Sequence, residues 1–307
     1  MSGRSFVGIG CVICLGAVSA NGDSWDQFRG PMGNGVAEKS NLPTGWSAQS
    51  GIIWSVPLPR RGNSSPVVAD GRIFLTTQTT SWDLFVLAFD AKSGGALWKQ
   101  KVGRGVLPAT SARYLYERIH NAATPTPAAT SSRVVAFFGT GLLVCLDVVS
   151  GQEIWRKDLQ KMYGRYNSSF GACASPRIHE YIVYISCVTA GTSYVAALEL
   201  DSGSVKWKRD RMTNATGDAR DSFSSPAFIK LGQSLGLLVS GADWINAYDL
   251  DSGEELWRAG GLRIGGRLAR MSAIELVTTT APGIRDLLTL GKIRSLEESG
   301  EDDLIVV

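Results

Sequence analysis

The 307-residue sequence predicts an all-β protein, a β-propeller built from four-stranded antiparallel blades. Three observations lead to this prediction. An eleven-residue pattern ending in tryptophan recurs four times, a signal of the Ser-Ser-Pro kind precedes each copy, and the segments between them are rich in β-branched and aromatic residues. A repeat of about 50 residues that contains four short strands is typical of a propeller blade.

The recurring pattern reads Ala-x-Asp-x-x-Ser-Gly-x-x-x-Trp, with small variations. Its tryptophans are 57, 52 and 50 residues apart: Trp98, Trp155, Trp207 and Trp257. A hairpin explains the other positions, because a carboxylate accepts N–H bonds across a turn and a glycine takes the positive φ that closes it. The carboxylates are Asp90, Asp147 and Asp249, with Glu199 in the third copy. The glycines are Gly94, Gly151, Gly203 and Gly253.

The second signal marks the start of each unit. It reads Ser-Ser-Pro or a close variant, at 64–66, 123–127, 174–176 and 224–226. In the first unit an apolar run follows Pro66, and an Asp70-Gly71 turn divides it into two strands. Segments such as 133–138 are β-branched and aromatic and lack the i, i+3, i+4 spacing of a helix. Each unit is therefore predicted to be a meander of four strands.

The repeated pattern resembles the tryptophan-docking motif of quinoprotein-type propellers. The segment from Trp25 to Pro31, which reads WDQFRGP, resembles the opening of exported bacterial proteins with pyrroloquinoline-quinone-like repeats. The resemblance implies that each motif tryptophan docks on an adjacent blade and helps to lock the ring. The four motif tryptophans, and Trp54 before the first unit, are thus assigned structural docking roles.

The number of repeats departs from that family. Its propellers commonly have about seven or eight blades, whereas this sequence has four repeats and a lone strand around Ile52-Ile53-Trp54. We expect an incomplete propeller, truncated or frame-shifted, that self-associates through open blade edges; a compact four-bladed closure is the alternative. The expected domains are repeats at 21–258 and a non-repeat tail at 259–307, disordered or partly helical.

The first 20 residues are predicted to be a signal peptide. Arg4 supplies a short basic region, residues 6–18 are apolar, and Val18-Ser19-Ala20 is a cleavage site, so the mature chain is expected to begin at Asn21. No later apolar stretch reaches the roughly 18 to 20 residues of a membrane span. The protein is therefore expected to be exported, to the periplasm or the extracellular space, without a transmembrane segment after signal removal.

Three cysteines follow the leader: Cys145, Cys173 and Cys187. Cys173 and Cys187 flank a predicted hairpin turn at 178–181, which would place them roughly opposite each other on neighbouring strands. A disulfide between them is one interpretation, and two buried small hydrophobic side chains are the other. The odd count leaves one thiol free.

The functional signals are weaker than the structural ones. The 31 basic and 28 acidic residues include no run of Lys or Arg, so nucleic acid binding is not expected. No adjacent cysteines or calcium ligands of a quinone dehydrogenase are recognisable, so no catalytic residue, metal or cofactor is assigned, and pyrroloquinoline quinone is implied by the resemblance alone. His120, in an insertion at 114–121, and the aromatic loop 163–170 are candidate ligand-contacting loops, or else ordinary surface connections.

We expect a non-catalytic binding or scaffold module whose loops contact a partner protein or a polymer. A quinone-dependent oxidoreductase, or a fragment of one, is the alternative.

Overall fold

A computed structural model confirms the predicted all-β propeller fold. It describes residues 24–37, 45, 47, 50–60, 62–107, 120–168, 170–213, 215–216 and 220–260, together with the backbone of 11–12. The predicted helical stretch of the tail and most of the predicted signal peptide lie outside these residues. No helix among the described residues has the length and apolar character needed to cross a bilayer.

Each blade is a meander in which strands follow one another in sequence order. Two short strands, β1 (Cys11–Val12) and β2 (Ser55–Val56), pair before the first blade. Blade 1 contains β3 (Val67–Ala69), β4 (Arg72–Gln78), β5 (Asp83–Asp90) and β6 (Ala96–Arg104). Blade 2 contains β7 (Ala128–Ala129), β8 (Arg133–Phe137), β9 (Leu142–Asp147) and β10 (Glu153–Asp158), and helix α1 (Leu159–Tyr163) follows it.

The other two blades repeat this plan. Blade 3 contains β11 (Arg177–His179), β12 (Ile182–Val188), β13 (Ser193–Glu199) and β14 (Val205–Asp210). Blade 4 contains β15 (Ala227–Leu231), β16 (Ser234–Gly241), β17 (Trp244–Asp249) and β18 (Glu255–Gly260).

Two boundaries differ from the sequence prediction. The lone N-terminal strand lies at Ser55–Val56 rather than at Ile52–Trp54, because β1 pairs only with those two residues. The last blade runs two residues past the predicted limit at 258, because Ala259 and Gly260 continue the pairing with Ile245 and Trp244.

The hydrophobic core lies between successive blades. One buried cluster joins blades 1 and 2, a second joins blades 2 and 3, and a third joins blades 3 and 4. Among the described residues no apolar cluster joins blade 4 back to blade 1. A further cluster lies on the face of blade 1 that points away from blade 2, where Trp54, Val56 and Leu58 of the N-terminal segment cover it.

Four tryptophans reach the next blade along the chain and donate the indole N–H to a backbone carbonyl there. The bonds run from Trp54 to Ala91 O (3.1 Å), from Trp98 to Val148 O (3.0 Å), from Trp155 to Leu200 O (2.7 Å) and from Trp207 to Leu250 O (3.0 Å). Every acceptor directly follows the acidic residue of its motif. The turn that the motif builds therefore presents the carbonyl that receives the preceding tryptophan.

The motif glycine forms the seat on which the incoming indole lies. Gly94, Gly151 and Gly203 have φ of 71°, 69° and 66°, which favours glycine. A Cβ on any of them would stand 2.6 to 2.7 Å from the ring of the docked tryptophan, and Gly253 lies as closely under Trp207. Glycine is therefore required both by backbone conformation and by the close approach of the ring.

The acidic side chain holds the turn in shape. Asp90 Oδ1 accepts hydrogen bonds from Ser93 N at 2.8 Å and from Ser93 Oγ at 2.7 Å. Asp147 and Asp249 bind Ser150 and Ser252 in the same way. These bonds from serine hold the pKa of the three carboxyls below the usual range for aspartate.

The Ser-Ser-Pro signals link the blades on their inner side. Ser65 N donates to Thr126 Oγ1 at 2.9 Å, Thr126 N to Ser175 Oγ at 3.0 Å, and Ser175 N to Ser225 Oγ at 2.8 Å. Each blade thus places a hydroxyl where the backbone of the preceding blade needs an acceptor. This hydroxyl ladder joins all four blades just before their first strands.

Residues 24–33, which we call the clasp, cross the first strand of every blade. Four backbone N–H groups donate to it: Val68 to Trp25 O, Ala129 to Asp26 O, Ile178 to Gln27 Oε1 and Phe228 to Met32 O, at 2.8 to 3.1 Å. Each donor is the second residue after the proline of its Ser-Ser-Pro signal. The clasp therefore contacts the same position in all four blades.

Arg177 fastens the clasp from within β11. Its side chain is buried and donates to Gly30 O at 2.8 Å, to Pro226 O at 2.7 Å and to Phe28 O. Burial lowers the pKa of Arg177 to about 10. One guanidinium thus ties the clasp to blades 3 and 4.

Substituting a seat glycine should destabilise the protein more than substituting an equally left-handed glycine elsewhere. Gly151→Ala places a methyl against Trp98, and we expect a loss of about 3 kcal/mol in the free energy of unfolding from backbone strain and overpacking. Gly71 has φ of 70°, and a Cβ added there would have no atom within 4 Å, so Gly71→Ala should cost only about 1 kcal/mol. Urea unfolding followed by circular dichroism measures the loss in unfolding free energy for both variants. Equal losses would contradict the close contact between Gly151 and the docked indole.

Removing the Arg177 guanidinium should release the clasp. In Arg177→Met the carbonyls of Phe28, Gly30 and Pro226 lose a buried donor, and we expect a loss of about 3 kcal/mol in unfolding free energy. Hydrogen exchange should accelerate at the amides of Val68 and Ala129, which donate to the clasp. Arg72→Met, which breaks a surface pair with Asp70, is the control. Unchanged exchange at these amides in Arg177→Met would show that Arg177 does not hold the clasp in place.

Candidate binding site at the axial mouth

Three loops from three blades converge where the first strands begin, and we call this place the axial mouth. The loops lead into β7, β11 and β15 and contribute His120, Phe170 with Cys173, and Phe223. The rings of His120 and Phe170 lie 5.6 Å apart at 72°, and those of Phe170 and Phe223 lie 5.4 Å apart at 83°. Phe223 is 44% exposed, so the aromatic group presents an apolar edge to solvent.

Both ring nitrogens of His120 are within hydrogen-bond distance of a partner. Nε2 lies 2.9 Å from Phe170 O, and Nδ1 lies 2.9 Å from Thr124 Oγ1. A carbonyl can only accept, so Nε2 carries a proton. Burial lowers the pKa of His120, which favours the neutral imidazole. His120 therefore holds two loops together in a neutral form.

Cys173 lies beside His120, with Sγ 3.2 Å from Phe170 O and 3.7 Å from His120 Nε2. Burial raises the pKa of its thiol to about 12. The group is thus a thiol that donates to a carbonyl, and not a thiolate nucleophile.

Cys173 and Cys187, for which a disulfide and two buried small side chains were the alternatives, are free thiols in the structure, as is Cys145. The register pairs Arg177 with Tyr184, and its continuation would bring Cys187 opposite Ala174, one residue from Cys173. Cys173 lies before β11, in the loop at the mouth, where its Sγ is 3.2 Å from Phe170 O. Cys187 is buried instead beside Tyr166, whose Oη lies 3.3 Å from its Sγ.

The structure brings together two loops that the sequence offered separately. His120 and Phe170 lie 50 residues apart and meet at the mouth. Tyr166 of the aromatic loop does not take part, because it is buried in the core with its hydroxyl 3.1 Å from that of Tyr194. His179 lies next to a turn and packs on Phe228. The insertion residues 114–119 lie outside the described residues.

Phe223 was missed at the sequence level. The hydroxyl ladder fixes each Ser-Ser-Pro segment at the inner side of a blade. The position of Phe223 directly before Ser224-Ser225-Pro226 is therefore the sequence signal that indicates its place at the mouth. Asp221, two residues earlier, accepts from Ala190 N at 2.8 Å and fixes this loop to blade 3.

A cavity of about 610 Å³ lies beside the mouth, on the side of blades 3 and 4. Its walls come from Thr189–Ser193, Asp210–Thr213, Ala215, Thr216 and Arg220. Arg211 is buried there and donates to neutral groups of blade 4, among them Tyr248 Oη at 3.3 Å and Gly241 O at 3.2 Å. These bonds give Arg211 a role in joining blade 4 to blade 3.

The mouth does not fit the quinone that the family resemblance implies. Pyrroloquinoline quinone is planar and carries carboxylates, so it needs flat walls and cationic donors. The rings at the mouth cross at 72° and 83°, and the imidazole of His120 is neutral. In the described part of the chain, no group of three His, Cys, Asp or Glu side chains is placed to hold a metal ion.

Four tryptophan-linked meanders arranged around a common inner side define a propeller of the quinoprotein type. The family model of outer membrane protein assembly factor BamB matches residues 83–272, which is more than half of the chain. The chain belongs to this family. A search of curated proteins finds no match.

Solved structures similar to this chain are also propellers. Quinohemoprotein alcohol dehydrogenase from Comamonas testosteroni is 18% identical, with a TM-score of 0.53 over 77% of this chain and 41% of that one. A europium-containing methanol dehydrogenase is 14% identical, with a TM-score of 0.52 over 69% and 46%. BamB from Moraxella catarrhalis is 16% identical, with a TM-score of 0.44 over 68% and 52%. The chain thus spans about half the length of these proteins or less, and at these identities the likeness concerns the fold alone.

The Cys173 thiol should react slowly until the pH is well above 9. Its pKa of about 12 implies a reaction with Ellman's reagent about a thousandfold slower at pH 8 than that of an ordinary thiol. The folded state disfavours the thiolate, so stability should fall as the pH rises from about 9 to 12. Subtracting the reaction rates of Cys173→Ser from those of the native protein gives the rate of this thiol alone. A rate that reaches its plateau near pH 9 would contradict the raised pKa of Cys173.

Proposed function

We propose that the chain is a non-catalytic binding or scaffold propeller that acts outside the cytoplasm, and that its axial mouth receives an apolar or aromatic segment of a partner protein. The observation that carries this proposal is the aromatic edge at the mouth, formed by Phe170 and the 44% exposed Phe223. Exposed aromatic groups on rigidly held loops are typical anchors of protein recognition.

The polar groups of the mouth support recognition rather than chemistry. His120 and Cys173 both bind Phe170 O, and the carboxylate of Asp221 accepts a hydrogen bond from Ala190 N. Burial lowers the pKa of His120 and raises that of Cys173 to about 12, so both are neutral near pH 7. They shape the surface around Phe223 and add little charge for a partner to desolvate.

The scaffold around the mouth also supports this proposal. Its three loops are fixed by the hydroxyl ladder, by the His120–Phe170 contact and by the Asp221–Ala190 bond. A preformed surface loses little conformational freedom on binding. The family description, an outer membrane protein assembly factor, agrees with contact to another protein, and the leader predicted at residues 1–20 agrees with action beyond the inner membrane.

Photo-cross-linking in the exporting cell tests the proposal. With p-benzoylphenylalanine at position 223, we expect one defined cross-link to an apolar segment of a partner protein. The same group at Tyr181, which is 72% exposed in the turn between β11 and β12, is the control and should give no such cross-link.

The captured segment, made as a peptide, should then bind the purified protein, and Phe223→Ala should weaken the affinity about tenfold. Equal labelling from the two positions, or equal affinity of the variant, would overturn the proposal.

A further inference from the structure

The described residues contain five tryptophans of the docking type and four seats. The seats at Gly94, Gly151, Gly203 and Gly253 hold Trp54, Trp98, Trp155 and Trp207. Trp257 is the fifth, and its indole N–H reaches no carbonyl among the described residues. Trp257 is partly buried, as are the docked Trp54 and Trp98, so the missing acceptor and not its exposure sets it apart.

Blade 4 nevertheless carries a complete donor face. In blade 1 the cross-strand row Val67, Phe74, Ala88 and Trp98 faces blade 2. In blade 4 the row Ala227, Leu238, Ala247 and Trp257 has the same register, including the small residue opposite the tryptophan. This face therefore continues, residue for residue, the interfaces already formed between the blades.

The acceptor face of blade 1 is occupied by the chain's own N-terminal segment. Trp54 lies on Gly94 and donates to Ala91 O at 3.1 Å, although it belongs to no blade. Its neighbours Val56 and Leu58 cover the apolar side chains of β4 and β5. Within the described part of the chain, the strand paired with this segment is β1, Cys11–Val12, inside the predicted leader. Once the leader is removed, Trp54 is held by its contacts with blade 1.

We propose that Trp54 is an intramolecular cap, and that blade 4 of one copy docks on blade 1 of a second copy when the cap leaves its seat. Trp257 then occupies the seat at Gly94 and donates to Ala91 O. A second copy is the partner that fits, because blade 1 has the acceptor turn that matches this donor face. Such a head-to-tail contact gives a dimer if the ring closes after two copies, and longer chains if it does not.

Emptying the seat tests the proposal in the full chain. Trp54→Ala should associate in a concentration-dependent way, and sedimentation velocity should show species of at least twice the monomer mass. Trp54→Ala with Trp257→Ala should remain at the mass of the wild-type protein, because the incoming indole is missing. Trp82→Ala, which removes a 37% exposed tryptophan from a loop of blade 1, is the control and should not associate.

The double variant separates docking from misfolding. If loss of Trp54 merely unfolded the protein, the double variant would aggregate as much as the single one, and that result would overturn the proposal. A Trp54→Ala protein that keeps its native circular dichroism and the wild-type mass throughout a dilution series would overturn it as well.

Discussion

The bond between an indole N–H and a carbonyl of the next blade joins each blade to its neighbour. It connects residues 37 to 50 positions apart and spans the gap between sheets that share no backbone ladder. The carboxylate turn presents the carbonyl, the glycine admits the ring, and a small residue opposite the tryptophan leaves room for its neighbours. The fixed spacing of carboxylate, glycine and tryptophan in each repeat is explained by that one contact.

The inner side of the blades has its own set of contacts, which hold the loops of the mouth. The hydroxyl ladder fixes the segments that enter each blade. The clasp accepts hydrogen bonds from the first strand that follows each segment. The loops before the ladder are thus held in place by the strands they lead to. His120, Phe170 and Phe223 come from three blades, so their contact requires the blades to be docked correctly. The shape of the mouth is therefore a property of the assembled blades.

Much of the fold was predictable because the repeat has a local cause. A turn with a carboxylate, a serine and a glycine can be recognised in eleven residues, and its period gives the blade. The clasp, the hydroxyl ladder and the mouth were not predictable in this way, because each joins residues about 50 or more positions apart. Spacing alone likewise left both alternatives open for Cys173 and Cys187, because it does not determine strand register, and the structure has both thiols free.

The exchange of indole protons with solvent, followed by nuclear magnetic resonance, tests whether the indole bonds hold the blades together. The indole protons of Trp98, Trp155 and Trp207 should exchange slowly and together, because freeing any one requires blades to separate. The indole proton of Trp257 in the wild-type monomer should exchange rapidly. Rapid exchange at Trp155, or protection of Trp257 equal to that of the docked tryptophans, would show that the indole bonds do not hold the blades together.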